Sequence, residues 1–292
     1  MVSVIKRKNG KNNYYYLIHN AGKKQDEIYL GKVIPKNITE LKREFLLAIL
    51  GKKWNPSLDS IKKGHAEHLK NVSKTTLIEE LREFSYYFTY DSQKIEGSTL
   101  TQQETYNLLR FQLTPDNKPE HDMIEAKLHH EVFMNMIKNN EVLSQKTVLC
   151  WHRDMFEKTK PEFAGKMRLG NVYVTNSRST FPHWKFVPAF VKDFFKWYNK
   201  VKDKTHPVEL AALAHFRFVN IHPFGDGNGR VSRLMMNNIL FRNGYPLLNI
   251  RYGERKNYYK ALETGNLKTD EIYFLKWFMK RYVSEYLRHY ND

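Results

Sequence analysis

Between Val208 and Asn220 the chain is apolar on almost every helical face, and three alternating glycines, Gly225, Gly227 and Gly229, follow shortly after. A helix without a polar face has to be buried. Pro207 is tolerated in its first turn, where a proline removes no helical hydrogen bond. Downstream, Val231, Leu234 and Met235 recur at helical spacing, and Gly244 with Pro246 ends that second helix. The pattern predicts a buried helix, a short glycine-rich loop and a second helix that starts at the loop.

Most of the remaining chain reads the same way. Helical periodicity predicts helices over 58–70, 75–96, 101–112, 120–138, 145–157, 187–200, 207–221, 230–243, 254–264 and 269–288. An earlier helix starts after Ile38, with Thr39 as cap and Leu41, Phe45, Leu46 and Leu50 on one face, and stops before Gly51. The first 35 residues differ. The runs from Asn13 to Ile18 and from Glu27 to Leu30 are β-branched and aromatic, separated by the polar stretch Asn20 to Lys24, which predicts a hairpin. Met1 to Lys6 can add a third strand. Between Gly170 and Trp184 a further short extended hairpin is expected. The fold class is therefore mainly α, with a β-rich N-terminal module. The boundaries read as 1–52 for a β-hairpin/helix module, 53–100 for a helical segment and 101–292 for the core domain.

Composition excludes several classes. The hydrophobic fraction of 41% is enough to build a core, so wholesale disorder is excluded. No apolar run approaches the ~18–20 residues that span a bilayer. The opening MVSVIKRKNGKN carries no signal-peptide core, and a lone Cys150 beside Trp151 reads as a buried, inert thiol in a reducing compartment. A cytoplasmic location without membrane contact is the expectation. The net charge of +17 favours polyanions, but the basic residues are spread along the chain and match no zinc-finger or RNA-recognition signature. Nucleic-acid binding stays open as an alternative to enzymatic function. His65 with His68, and the pair His129 and His130, lack the spacing of a zinc helix and read as surface histidines. Tyr282, Tyr286 and Tyr290 with Phe278 form a stripe of core or interface residues on the last helix.

The chemistry concentrates in Ile221 to Arg233. Gly227 and Gly229 permit close approach of backbone N–H groups, and free amides at a helix N-terminus form an anion site. Arg230 and Arg233, three residues apart, project from the first turn on neighbouring positions. These features describe a polyphosphate site. Asp226 beside it would be repelled unless a divalent cation such as Mg²⁺ bridged carboxylate and phosphate. His222, four residues earlier, can accept a proton from an attacking hydroxyl. The set points to phosphoryl or nucleotidyl transfer.

His222 through Arg233 resembles the Fic-family signature, His-x-Phe-x-Asp/Glu-Gly-Asn-Gly-Arg-x-x-Arg, at every fixed position. The resemblance extends from about Leu77 to the C-terminus. It implies a helical domain that moves AMP from ATP to a Ser, Thr or Tyr hydroxyl of a target protein. His222 would be the general base, Asp226 the Mg²⁺ ligand, and Phe224 the residue that packs the loop into the core. Gly227, Asn228, Gly229 and Arg230 would hold the α- and β-phosphates, and Arg233 the γ-phosphate. Arg255, Tyr258, Tyr259, Leu262 and Asn266 resemble the downstream nucleotide segment, with Tyr259 and Asn266 on the adenosine side. Ala164 to Arg168, followed by Val172, Tyr173, Val174 and Thr175, resembles the family's β-hairpin flap, whose edge docks the target by strand addition.

Ser92 and Glu96 lie at i and i+4 on one helix face, and Gly97 reads as the stop. A carboxylate in the last helical turn opposes the helix dipole and calls for a cationic partner. In the family, Ser/Thr-x-x-x-Glu-Gly/Asn is an inhibitory motif whose Glu pairs with the signature's second Arg, here Arg233. The resemblance is thus to the intramolecularly inhibited class. It leaves the target, its modified residue and a homodimer open, and also the reverse reaction, removal of AMP. A phosphorylating relative would carry an altered glycine segment.

Overall fold

The computed structural model describes residues 2–21, 24–174 and 177–287, which fall into two compact units, 1–60 and 61–292. In the first, β1 (Val2–Asn9), β2 (Asn12–Ala21) and β3 (Lys24–Gly31) form an antiparallel sheet in the order β1-β2-β3. Asn9 pairs with Asn12, so Gly10 and Lys11 make a two-residue loop, and Gly10 supplies the positive φ (58°) at its first position. One face carries Tyr14, Tyr16 and Tyr29 in ring contact, with the Arg7 guanidinium 4.6 Å from the Tyr16 centroid and bonded to Glu27. Gly22 and Lys23, within the expected turn between β2 and β3, lie outside the described residues.

Helix α1 (Ile38–Asn71) corrects one expectation: it does not stop at Gly51 but runs on through Gly51 and Pro56. A glycine ends a helix by turning left-handed, and Gly51 keeps a negative φ. Pro56 removes only one backbone bond from a long helix.

The second unit is helical. It contains α2 (Lys74–Ile95), α3 (Gln102–Phe111), α4 (Glu120–Lys138), α5 (Gln145–Phe156), α6 (Val187–Val201), α7 (Pro207–Ile221), α8 (Asn228–Arg242), α9 (Arg255–Leu267) and α10 (Ile272–Tyr286). Local chemistry sets the ends. Ser73 caps α2 by accepting from Thr76 N–H, Thr101 and Glu104 form a reciprocal capping box on α3, and Ser144 accepts from Thr147 N–H at α5. Helices α7 and α8 are buried around nearly their whole circumference, from Val208 and Leu210 to Phe218, and from Val231 to Leu240. They form the central hairpin, and its connecting loop is the site described below. On α10, Phe278 and Tyr282 are fully buried, with Tyr282 Oη donating to the Pro246 carbonyl at 2.8 Å; Tyr290 lies outside the described residues.

Three further expectations are corrected. His129 is not on the surface: it is fully buried, and its Nδ1 shares a 2.9 Å hydrogen bond with Thr89, while the partly buried His130 shares one of 2.7 Å with Ser85. The helical period of α4 puts both histidines toward α2. Cys150 is only partly buried. The β-hairpin expected between Gly170 and Trp184 has no strand ladder among the described residues: Gly170 to Val174 is irregular, Tyr173 is 90% exposed, and Thr175 lies outside the described residues. Alternating Val-Tyr-Val shows propensity, but a strand also needs a partner edge. No helix among the described residues is long and apolar enough to cross a membrane.

Candidate active site

His222 caps the C-terminus of α7 in the left-handed region (φ 51°), a conformation uncommon outside glycine. The strain turns the chain sharply into the loop. His222 Nδ1 lies 3.3 Å from the Val219 carbonyl and donates to it, which leaves Nε2 as the free acceptor. Burial pulls the imidazole down to about 4, against the opposing pull of the Val219 carbonyl and of Glu96. The ring is neutral at physiological pH, and Phe181 rests on it at 4.4 Å.

The loop is held from within. Asn228 Oδ1 accepts from Phe224 N–H and its Nδ2 donates to the Phe224 carbonyl, both at 2.9 Å, so this side chain staples the turn. Phe224 is buried and stacks on His152 at 3.7 Å. Gly227 (φ 82°) precedes α8, and a Cβ there would overlap the Phe156 ring. A Cβ on Gly229 would overlap the Glu96 carboxylate, which therefore lies directly over the first turn of α8.

Arg230 and Arg233 are both buried and paired. Arg233 donates from Nε to Ser92 Oγ (3.1 Å) and from Nη2 to the Ser92 carbonyl (3.0 Å) and to Glu96 Oε1 (2.6 Å). Burial opposes its charge, yet Glu96 holds the guanidinium above the usual arginine value. Arg230 donates to Glu125, to Gln93 Oε1 (3.0 Å) and to Asp226 Oδ1 (3.1 Å). Asp226 also accepts from Lys160 Nζ at 2.7 Å and from Gly227 N–H at 2.6 Å. Burial alone would raise the Asp226 carboxyl; Arg230, Lys160 and Gly227 outweigh it and hold it well below the usual range. Its side chain is 42% exposed, so one oxygen-rich group opens outward beside the helix N-terminus.

Helix α9 contributes from the side. Tyr259 is half-exposed and donates to the Ile95 carbonyl at 3.0 Å, at the end of α2. Tyr258, expected in the nucleotide-binding segment, is 1% exposed, and its hydroxyl bonds Arg233 and His215 beneath the site. Two tyrosines in sequence point about 100° apart around a helix, so only one can face out. Asn266 holds the Thr180 backbone at both N–H (3.0 Å) and carbonyl (2.9 Å), so its amide is already committed.

The structure thus brings together Ser92, Glu96, His222, Asp226, Gly227 to Arg230, Arg233 and Tyr259. Val172, Tyr173 and Val174 stand apart from a strand partner. Gly97 ends α2 with φ 103°, as its spacing implied. Three contributors were not read as site residues, and a fourth, Arg168, was read only as part of the flap. Lys160 and Glu125 form the charge cluster with Asp226 and Arg230. His152 accepts from Gly165 N–H at Nδ1 and donates from Nε2 to the Asp226 carbonyl at 3.0 Å. Arg168 donates to the His222 carbonyl. A helical period places Glu125 on the buried face of α4, which is the one signal that could have marked it.

A glycine loop feeding a helix N-terminus, a neutral imidazole, an outward carboxylate and an arginine shut by a glutamate now stand together. The family model described as Fic/DOC matches residues 142–240, which holds the whole loop, α7 and α8 as far as Leu240. Residues 142–240 are a Fic/DOC domain. Among curated relatives, protein adenylyltransferase Fic of Aedes aegypti is 34% identical over 206 residues, covering 68% of this chain and 41% of that protein. The Drosophila melanogaster protein of the same name is 35% identical over 217 residues, covering 72% and 43%. The chain spans about two-fifths of the length of these relatives. Among solved structures, a Fic-domain-containing signalling protein from Bacteroides thetaiotaomicron superposes with a TM-score of 0.69 at 28% identity, covering 78% of this chain and 94% of that one. Fic-1 from Caenorhabditis elegans gives 0.69 at 26%, covering 88% and 77%.

Proposed function

We propose that this chain is a protein adenylyltransferase that moves AMP from ATP to a hydroxyl side chain of a target protein, and that Glu96 restrains it. The observation that carries the reading is the placement of the Glu96 carboxylate over Gly229 and on Arg233. A carboxylate seated on a helix N-terminus and a guanidinium occupies ground suited to a phosphate. ATP would lay its triphosphate across the amides of Gly227, Asn228 and Gly229, with Arg230 beside it. Arg233 reaches a terminal phosphate only after Glu96 lets go.

His222 is the group for the proton. Its Nε2 is unprotonated and its ring is neutral, so it takes the proton of the attacking Ser, Thr or Tyr hydroxyl as that oxygen bonds to phosphorus. Pyrophosphate leaves. Tyr259, half-exposed at the rim, is the candidate wall for the adenosine, and Asn266, on the same helix, is the second candidate beside the Thr180 backbone it holds. The irregular segment 171–174 is the candidate surface for the target.

Mg²⁺ fits the donor set. Among the described residues no cluster of three or more His, Cys, Asp or Glu side chains could hold a metal alone. One outward carboxylate next to a phosphate cradle is the arrangement that binds Mg²⁺ together with a nucleotide. Asp226 would hold it, and the ion would neutralise phosphate charge.

The test uses ATP labelled at the α- or at the γ-phosphorus. Adenylyl transfer leaves the α-label on protein and no γ-label; γ-label on protein would instead establish phosphoryl transfer. His222→Ala should bind ATP as before and accept no label.

A further inference from the structure

Arg168 is 5% exposed, and every one of its side-chain bonds goes to a backbone carbonyl. Its Nε donates to the His222 carbonyl at 2.7 Å, its Nη1 to Gly170 at 2.7 Å and its Nη2 to Pro182 at 2.5 Å. Its own N–H donates to the Pro223 carbonyl at 2.9 Å. Among the described residues no carboxylate pairs with it, and burial alone pushes the guanidinium below the usual arginine value. A buried cation without a counter-ion is expensive, and three carbonyl oxygens compensate it only in part.

The three carbonyls are not neighbours in sequence. Gly170 and Pro182 flank two irregular arms, 171–174 and 177–181, and His222 stands at the end of α7. One planar fork, with donors at fixed angles, therefore sets both arms against the His222 backbone. The far arm is fastened again by α9: Glu263 accepts from Arg178 N–H at 2.7 Å, and Asn266 grips Thr180. Phe181, between Thr180 and Pro182, then lies on the His222 ring.

We propose that Arg168 is a positioning residue that couples the arms 171–174 and 177–181 to His222, so that a target hydroxyl held by these arms meets the imidazole at a fixed distance. With its side-chain bonds spent on three backbone carbonyls, Arg168 would act through His222 and these arms. The proposal rests on the adenylyl-transfer reading for its kinetic consequence, while the mechanical coupling stands without it.

The experiment compares Arg168→Ala and Arg168→Lys with the parent, each carrying Glu96→Gly so that transfer is measurable. Amide hydrogen exchange is followed in peptides covering 169–174 and 177–183. A fluorescent ATP analogue gives nucleotide affinity, and self-labelling at saturating ATP gives the transfer rate. In Arg168→Ala, exchange should rise about tenfold in both arms together. Transfer should fall about 10- to 100-fold while ATP affinity stays within about twofold, because misplacement by an ångström acts on the reaction and not on binding. Lysine keeps the charge but cannot span three carbonyls, so it should show the same pattern more weakly; it also serves if the alanine variant does not fold. Unchanged exchange in either arm, or ATP affinity falling in step with the rate, overturns the proposal. A parent that accepts no label refutes the transfer reading, and the exchange data still decide the coupling.

Discussion

The Glu96 carboxylate lies 2.6 Å from Nη2 of Arg233, and the same arginine is fixed to Ser92 through Nε and Nη2. Residue 96 ends α2 and residue 233 lies in the second turn of α8, so the contact joins the two elements that would have to part for a triphosphate to extend. Arg233 is 1% exposed and Glu96 is 24% exposed. Removing the carboxylate leaves a buried guanidinium with only neutral partners. Glu96→Gly should therefore lose about 1–3 kcal/mol without nucleotide, measured by denaturant unfolding. ATP should raise its melting temperature more than that of the wild-type chain. An equal rise in both would mean that the pair does not stand in the way of nucleotide.

The His222 ring predicts the pH dependence. Its pKa of about 4 lies below the ordinary imidazole value, so the folded protein keeps the base neutral as pH falls through 6.5. The transfer rate of Glu96→Gly should be nearly flat between pH 7.5 and 5.5. An unperturbed imidazole would have lost ~90% of its neutral form by the lower limit. Rates that fall with a midpoint near 6.5, while the protein stays folded by circular dichroism, would place the base elsewhere.

Lys160 bridges Asp226 (2.7 Å) and Glu125 (2.8 Å), so a cation from the protein already stands at the carboxylate expected to meet Mg²⁺. Lys160→Met should lower the Mn²⁺ concentration for half-maximal binding several-fold, read by electron paramagnetic resonance with ATP present. An unchanged or higher requirement would show that Lys160 does not compete for Asp226.

Gly227 faces two constraints, a left-handed φ of 82° and the Phe156 ring where a Cβ would sit; Gly225 has neither, its nearest neighbour being Phe163 at 3.5 Å. Gly227→Ala should cost about 2–4 kcal/mol in denaturant unfolding, and Gly225→Ala under about 1. Equal losses would mean that the loop does not press Gly227 against Phe156.

Much of this was legible in the sequence because it is local. Ser92 and Glu96 share a helix face by their spacing, and the loop from His222 to Arg230 is punctuated by its glycines. What escaped depends on residues remote along the chain. Lys160 is 66 residues from Asp226, Glu125 is 105 from Arg230, His152 is 74 from Asp226, and Arg168 is 54 from His222. No periodicity links such pairs; only the packing of α4, α5 and the 160s loop onto α7 and α8 does. The same blindness to tertiary partners gave Val172 to Val174 a strand they lack, and ended α1 at a glycine that stays helical.

Whether Glu96 holds back an adenylyl transfer is decided by intact-mass spectrometry of Glu96→Gly after incubation with ATP and Mg²⁺, beside the wild-type chain. The variant should gain the mass of whole adenylyl groups, and the wild type far less. No gain in either protein, or a gain of phosphoryl groups, would contradict it.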